Sequence, residues 1–501
     1  MLILSSLSIH AQQMHVKGNV SDGNGTPLIG VSVVVTSNKT GTTTDVSGNF
    51  ELNVPSENTT LVFSYIGYET QKIRINGRRT LNVVMNEDNS QLDEVVVVGY
   101  GTQKKINMTG AVAQVDNKEL KMAPSSNITQ TLAGRLPGLV AYQRSGQPGL
   151  DGASLLVRGP GAGDASPLVV VDGVIYEWFP DIQNDDVESI SILKDAATAA
   201  AYGLRASGGV IMVTTKRGVI QKPTITVNSS ILLSQNTNFP KFLNGPDYAY
   251  WYNKAQEMDG VPEDQRRFTS EEIDRITNGD PKGDYANTDW FDLLFKDVAP
   301  TYNNNVSIRG GNEKLRFYAS IGSYNQQGII DNTSYKRYNF RSNLDAQVSK
   351  NIEMSLDLSG KVSTSKEPGL SAGMGDYATI FPQALMAYPF LPTHKDGLPV
   401  GSLNGDGEGN QNPLAARDLS GFNEARTASF DGRIKLTYKV PFLQGLKLSF
   451  TGSYNRDYTV RKIAQLAYQV NAFNQTTRTW EVQNAKHSKS GESVVEQYFA
   501  D

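Results

Sequence analysis

Apolar and polar residues alternate with a period of two from about residue 223 onward, and this pattern restricts the chain to β-structure more strongly than any other feature. In residues 337–348, Tyr338, Phe340 and Leu344 share one face, and Arg337 and Asn339 lie on the other. The same alternation recurs in residues 352–363, 430–440 and 446–458. We therefore predict long strands that are apolar on one face only.

The connections between these strands distinguish a soluble sandwich from a membrane barrel. The predicted strands are 224–233, 301–309, 314–325, 336–348, 352–363, 429–440, 446–458 and 492–500. Long connections alternate with turns of a few residues, which is typical of transmembrane β-barrels. If residues 102–217 lie on the periplasmic side, the first strand runs outward and every long loop is extracellular.

The number of strands predicts an incomplete barrel. A barrel of eight strands is filled by its own side chains, so it has no room for a domain the size of residues 102–217. We therefore expect residues 223–501 to be the first part of a larger transmembrane antiparallel β-barrel, in a truncated chain. The chain has no run of 18 or more apolar residues, so no transmembrane helix is predicted.

Composition excludes several functions. The chain carries 47 Lys and Arg against 51 Asp and Glu, without the basic excess expected of a nucleic-acid binder. It contains no Cys, which excludes disulfides, Cys-ligated zinc and a cysteine nucleophile. Only four His are present and no Ser/His/Asp set is defensible, so we predict that the protein is not an enzyme.

The N-terminal part reads as an export signal followed by a small β-domain. Residues 1–11 are apolar up to Ile9 and then reach the small residue Ala11, as at the end of a signal peptide. Residues 14–89 alternate short strands with Gly/Asn turns, which predicts a β-sandwich. The stretches Gly18–Val20, Pro27–Val33 and Asp45–Phe50 resemble the carboxypeptidase-regulatory-like module, an accessory domain without peptidase activity.

A valine-rich segment follows the polar linker 86–92. Asp93 and Glu94 precede four consecutive valines, Val95–Val98, and the segment ends at Gly99–Gly101. Valine strongly favours strands. On a free segment such a strand can add to the edge of another protein's sheet, whereas composition alone favours an ordinary buried strand.

Residues 102–217 mix strands with helical turns and predict a compact α+β domain. Pro167–Gly173 is typical of a buried strand ending in a turn. Asp186–Asp195 is strand-like and passes into an Ala-rich helix that we expect to end at Gly203. Gly209–Lys216 reads as a closing strand.

Several of these segments together carry a family resemblance. They are Asp93–Gly101, Leu136–Leu139, Leu156–Gly159, Pro167–Val174, Asp186–Ala196, Tyr202–Lys216, Thr288–Asp292 and Ser307–Asn312. Over about residues 14 to 460 the chain resembles the SusC/RagA group of TonB-dependent outer-membrane transporters. The first segment is similar to the TonB box of that group, the next five to its plug domain and the last two to the start of its barrel. Members complete a barrel of about 22 strands, which this chain does not.

The resemblance implies a fold, a function and a set of site residues. The fold is mainly β, with an N-terminal β-sandwich, an α+β plug domain and the first part of the barrel. The implied function is import of a large polar nutrient, a glycan or a peptide, energised by TonB and assisted by a SusD-like surface lipoprotein. The implied TonB-box residues are Asp93, Glu94, Val95, Val96, Val97, Val98 and Gly99. The implied plug-motif residues are Arg158, Gly159, Asp172, Gly173, Lys194, Asp195, Tyr202, Gly203 and Gly209.

The same resemblance implies a location in the cell outer membrane, in contact with its lipid. Residues 12–217 would lie on the periplasmic side or within the barrel. No cofactor is implied and no nucleic-acid partner is expected. The residue pattern alone also leaves open a secreted β-rich protein that binds glycans or mediates adhesion. An exopeptidase carrying its regulatory domain is disfavoured, because the sequence lacks a cluster of metal ligands.

Two loop features are weaker signals. Asn404–Asn410 places oxygen ligands at alternating positions, as calcium loops do, but with the wrong spacing for an EF-hand. The first long loop is rich in aromatic residues, namely Tyr248, Tyr250, Trp251, Tyr252 and Trp290. These rings either stack on sugar rings or pack the loop onto the lipoprotein partner, and we favour packing.

Overall fold

The computed structural model describes most of the chain as two compact units, residues 1–109 and 110–501. The description leaves out residues 1–13, 24, 37–39, 66–67, 87–94, 99–100, 105–111, 122–126, 158–165, 177–178, 180, 195–198, 370–375, 402–411, 444, 475–478, 485–492 and 501.

The first unit contains the predicted β-sandwich. Its strands are β1 Met14–Ser21, β2 Ser32–Val35, β3 Gly41–Thr43, β4 Asn49–Val54, β5 Thr60–Ser64, β6 Gln71–Arg74 and β7 Thr80–Val84. They form one sheet in the order β4-β1-β7 and another in the order β3-β2-β5-β6. The inward residues of both sheets are buried, and the rings of Phe50 and Phe63 meet edge to face at 5.4 Å. The first unit also contains the short strands β8 Val95–Val98 and β9 Gly101–Lys104.

The second unit begins with the α+β domain predicted within residues 102–217, here called the plug. Its strands are β10 Val112–Asp116, β11 Leu139–Gln143, β12 Ala153–Val157, β13 Leu168–Val171, β14 Val174–Tyr176, β15 Val187–Leu193 and β16 Val210–Thr215. Its helices are Asn117–Lys121 and Ile128–Thr131, with 3-10 turns at Asn184–Asp186 and Ala200–Ala206. Five strands form a sheet in the order β10-β15-β16-β13-β14, and the apolar residues of β13, β15 and β16 are buried on both faces of this sheet.

The rest of the second unit is built on an open antiparallel sheet of eight strands, here called the wall. Its strands are β17 Gln221–Ser234, β18 Ala299–Gly311, β19 Leu315–Gln327, β20 Ser334–Ser349, β21 Ile352–Pro368, β24 Gly421–Lys439, β25 Lys447–Gln465 and β28 Ser493–Ala500. Each pairs with the next in chain order. All eight predicted strands are present, and the turns at 312–314, 350–351 and 440–446 lie at one end, opposite the longer connections.

The long connections are more structured than their description as loops implies. They contain the helices Gly245–Met258, Ser270–Asn278, Trp290–Leu294, Asp376–Met386 and Pro413–Leu419, and a 3-10 turn at Glu263–Gln265. They also contain the hairpins formed by β22 His394–Lys395 with β23 Leu398–Pro399 and by β26 Gln469–Asn474 with β27 Thr479–Asn484. These elements, here called the outer-loop module, pack around buried rings such as Phe268 and Phe390, whose centroids are 4.8 Å apart.

An ion cluster also holds the outer-loop module. Asp280 accepts two hydrogen bonds from Arg275, both at 2.8 Å, and three more from the backbone N–H groups of residues 282, 284 and 285. Burial opposes ionisation of Asp280, but these hydrogen bonds outweigh burial and hold its pKa well below the usual range.

Within the part of the chain that the structure describes, no helix combines the length and apolar character needed to cross a membrane.

Candidate functional site

The two faces of the wall have opposite polarity. On β20 the side chains of Tyr338 and Phe340 are exposed, by 63% and 43%, whereas Arg337 and Asn343 are buried at 3% and 1%. The outward face is apolar along the other strands too, with exposed residues such as Ile225, Val227, Ile321, Leu448 and Phe450. A soluble sheet buries its apolar face, so this inverted arrangement is that of a wall with lipid outside and a polar interior. The buried polar face is covered by the plug.

An ion network joins the end of the plug to the wall. Arg217 donates to Asp345 on β20 at 3.0 Å and to Asp357 on β21 at 2.9 Å. Arg433 on β24 also donates to Asp357, from Nε at 2.7 Å, and to the backbone carbonyl of Asp172 in the plug. Burial disfavours the charge of Arg217, but the carboxylates around it raise its pKa above the ordinary value. The guanidinium therefore stays charged and links two wall strands.

A second set of contacts comes from the plug stretch Asp181–Glu188, here called the acidic stretch. Its carboxylates reach five adjacent wall strands, β17 to β21. Asp181 forms ion pairs with Arg337 and, at 3.8 Å, with Lys361, and it accepts a hydrogen bond from Tyr335 at 2.6 Å. Asp185 accepts a hydrogen bond from Asn228 and Asp186 accepts one from Tyr318, both at 2.8 Å. Glu188 forms an ion pair with Arg309 at 3.4 Å. Burial acts to raise the pKa of Asp181, but Arg337 and Lys361 outweigh it and lower the pKa. The acidic stretch therefore fastens the plug across most of the wall.

The predicted plug residues Asp172 and Gly173 form the turn between β13 and β14. Both have positive φ, 49° and 89°. The Asp172 carboxylate accepts hydrogen bonds from Thr215, from the backbone N–H at 3.0 Å and from the hydroxyl at 2.5 Å. The turn is thus tied to the end of β16, and its backbone carbonyl faces Arg433. This contact brings a predicted plug residue into the ion network.

The other predicted plug residues have structural roles where the structure describes them. Tyr202 is buried, and Gly203 has a φ of 64° that breaks the 3-10 segment Ala200–Ala206 instead of ending it. The Lys194 side chain packs against Gly138, whose added Cβ would lie 3.4 Å from the amine. Gly209 ends the turn before β16 with a φ of 86°. Arg158, Gly159 and Asp195 lie outside the described residues.

The close approach at Gly209 gives a prediction. An added Cβ there would lie 2.9 Å from Cγ1 of Val157, in a backbone conformation that L side chains rarely adopt. We expect Gly209→Ala to destabilise the plug by about 2–4 kcal/mol, combining backbone strain with overpacking. Gly134→Ala is the control, because its φ is 71° but no atom lies within 4 Å of the added Cβ. The stability of each variant is measured as the urea concentration at which half of its resistance to trypsin is lost. Equal concentrations for Gly209→Ala and Gly134→Ala would contradict the steric argument.

A polar cavity of about 830 Å³ lies between the plug and the wall. Hydroxyl and amide side chains line it, including Ser363, Thr427, Thr459 and Asn423. Its lining also contains three carboxylates, Asp151, Asp181 and Glu367, and three cations, Arg337, Lys361 and Arg461. Burial raises the pKa of Asp151, although Gln326 donates to it at 3.0 Å. The cavity therefore offers many hydrogen-bonding groups without an excess of either charge.

The predicted TonB-box segment is described only in part. Val95–Val98 is a strand, as its composition predicts, and pairs antiparallel with Gly101–Lys104. Asp93, Glu94 and Gly99 lie outside the described residues. The function of the segment stays a prediction.

The five predicted loop aromatics separate into two groups. Trp290 is buried and its indole N–H donates to the carbonyl of Tyr388 at 2.9 Å, while Tyr248 packs 5.5 Å from Phe390. Burial raises the pKa of Tyr248 to about 12. The other three, Tyr250, Trp251 and Tyr252, are exposed. Trp290 and Tyr248 thus contact other rings or backbone within the outer-loop module, whereas Tyr250, Trp251 and Tyr252 are the more exposed of the five.

The candidate calcium loop, Asn404–Asn410, lies outside the described residues. Among the residues that are described, no group of three or more His, Cys, Asp or Glu side chains is arranged to hold a metal ion.

Comparison with known proteins identifies the two N-terminal domains. The CarboxypepD_reg-like domain family matches residues 16–97, and the TonB-dependent Receptor Plug Domain family matches residues 104–210. The TonB-dependent receptor SusC of Bacteroides thetaiotaomicron is 32% identical over 481 residues, which cover 90% of this chain and 45% of SusC. This chain belongs to the SusC/RagA-like TonB-dependent receptors. Members of this family are outer-membrane proteins, and they are receptors or transporters, not enzymes.

Further comparisons agree with this membership. A TonB-dependent receptor of Formosa agariphila is 32% identical over 474 residues, which cover 91% of this chain and 43% of that receptor. The fold is similar to that of the RagAB peptide importer in its open-open state, with a TM-score of 0.61 and 24% identity over 74% of this chain and 43% of that chain. The SusC/RagA-like chain spans less than half the length of the curated relatives it matches.

The contacts between plug and wall were not predicted as a site. The sequence did contain a signal for them, since Arg337, Asp345, Asp357 and Arg433 are charged residues on the polar face of predicted strands. Which plug residues meet them depends on the register of the wall.

Proposed function

We propose that this protein works as an outer-membrane importer for a large polar nutrient, an oligosaccharide or a peptide. The observation that carries the proposal is the plug fastened to the polar face of the wall by ion pairs and hydrogen bonds. Water can replace such contacts when the plug moves, whereas an apolar contact would resist hydration. The polar cavity beside Asp151 fits a ligand rich in hydroxyl or amide groups.

The proposal includes an energy source and a direction. TonB would pair with the segment 93–99 by strand addition and pull on the plug. Residues 12–217 would lie on the periplasmic side or within the barrel, and the outer-loop module would face the exterior. A SusD-like lipoprotein would cover that module, in contact with exposed rings such as Trp251. The exposed apolar face of the wall argues against the alternative of a secreted glycan-binding or adhesion protein.

Deletion of residues 93–99 tests the proposal in the native host. We expect the deletion to abolish uptake of the nutrient while the receptor remains in the outer-membrane fraction. The matched control replaces the linker 86–92 by Gly and Ser of equal length, which we expect to leave uptake close to the wild-type rate. Unchanged uptake after the deletion would contradict energised import through this segment.

A further inference from the structure

A deep pocket of about 1280 Å³ opens in the outer-loop module, away from the contact between plug and wall. It is lined by three segments, residues 239–244, 287–291 and 383–389, and by Tyr248. We propose that this pocket binds an aromatic ring that carries one O–H or N–H donor, such as a phenol or an indole. The proposal is independent of import, because binding at this pocket requires no movement of the plug.

The walls of the pocket favour a ring. Phe242 and Phe291 stack with centroids 5.1 Å apart and planes 19° apart, and Phe239 meets Phe291 edge to face at 5.4 Å. Tyr248 and Tyr388 form another edge-to-face pair at 5.8 Å. Aromatic rings gain energy from stacked and edge-to-face neighbours beyond the burial of their surface. A further ring can extend this arrangement.

The entrance of the pocket is apolar and adaptable. Phe242 and Met386 line the pocket yet are 53% and 59% exposed. Exposed apolar side chains grouped around a concavity are typical of ligand sites, and the flexible thioether of methionine makes favourable contacts with rings. The charged lining residues, Lys241 and Asp289, are both exposed. The lining therefore offers no buried counter-charge, and a neutral ligand is favoured.

Gln383 supplies the polar specificity. It lines the pocket, is only 2% exposed, and its side-chain carbonyl oxygen has no hydrogen-bond partner among the described residues. A buried acceptor without a partner is unfavourable, so a ligand donor that reaches it contributes to binding. The indole N–H of Trp290 is already bonded to Tyr388. The pocket is therefore expected to bind most tightly a ligand that donates a hydrogen bond to Gln383.

Equilibrium dialysis of 4-methylphenol against the receptor in lipid nanodiscs tests the proposal, with empty nanodiscs subtracted. 4-Methylanisole has the same ring but no O–H. We expect saturable binding of both, with 4-methylphenol binding roughly 3- to 10-fold more tightly, the equivalent of one hydrogen bond. Gln383→Leu should remove that preference and leave the affinity for 4-methylanisole unchanged. Ala387→Trp, which fills the pocket, should abolish binding of both.

Controls separate the pocket from general effects. Met258→Gln alters a side chain that is 83% exposed and outside the pocket, and should bind like the wild type. Competition by a pentapeptide with a central tyrosine would identify a peptide side chain as the ligand source, and failure to compete would point to a free small molecule. Absence of saturable binding, a folded Ala387→Trp variant that still binds, or a Gln383→Leu variant that keeps the preference would each overturn the proposal.

Discussion

Replacing Arg217 by methionine is expected to loosen the contact between the plug and the wall. The change leaves Asp345 without its cation and takes one of two cations from Asp357, and both carboxylates are mostly buried. Removing one partner of a buried ion pair costs about 3–5 kcal/mol, because the remaining charge is uncompensated. We expect cells carrying Arg217→Met to become permeable to a large antibiotic and the plug to lose trypsin resistance at lower urea.

Two further variants isolate the cause. Arg217→Lys keeps the positive charge but lacks the planar guanidinium group that donates to two carboxylates. We therefore expect it to lose less stability than Arg217→Met. Adding Asp345→Asn to Arg217→Met removes one uncompensated charge and should recover part of the stability. If Arg217→Met matched the wild type in both permeability and urea midpoint, the ion network would not hold the plug.

Placing a charge on the outward face of the wall is the second prediction with a large effect. Ile321 lies near the middle of β19 and is 64% exposed. If this face meets lipid, Ile321→Arg should destabilise the assembled receptor by about 2–4 kcal/mol. We would measure the fraction of the Ile321→Arg receptor that is folded in the outer membrane, and then the urea concentration at which half of the folded receptor unfolds.

A position at the end of the same strand, further from the middle of the bilayer, provides the matched control. Leu315 is exposed on the same strand but lies at its end, where a charge reaches the interface and costs about 0–1 kcal/mol. Leu315→Arg should therefore behave nearly as the wild type. Equal effects at the two positions, or none at either, would show that the face does not meet a bilayer.

The wall was the most predictable part of the chain. A period of two fixes which residues share a face, and the alternating loop lengths fix the hairpin order, so all eight strands of the wall were predicted in the right order. Their outer ends were less predictable, because β24 begins at Gly421 instead of 429 and β25 ends at Gln465 instead of 458. The polarity of the faces follows once the barrel is inferred, as Tyr338 and Arg337 illustrate. These features are local, and each can be read within a window of one strand and its turns.

Long-range pairings and the outer-loop module were less predictable. The five-strand reach of the acidic stretch depends on how the plug sits against the wall, which no window of sequence contains. The helix Ser270–Asn278 was missed, although Thr269 and Glu272 form the capping box that marks its start. The burial of Trp290 depends on residues about a hundred positions away, such as Tyr388.

A cysteine scan along β20 tests the central claim most directly, and the 501 residues of this chain contribute no Cys of their own to the labelling. Single Cys variants at positions 337 to 342 would be labelled in native outer membranes with a lipid-soluble maleimide and with a water-soluble one. We predict that positions 338, 340 and 342 react with the lipid-soluble reagent, and that 337, 339 and 341, which face the plug, react poorly with it. Labelling of 338 and 340 by the water-soluble reagent alone, or no alternation, would contradict a wall that holds the plug inside a membrane.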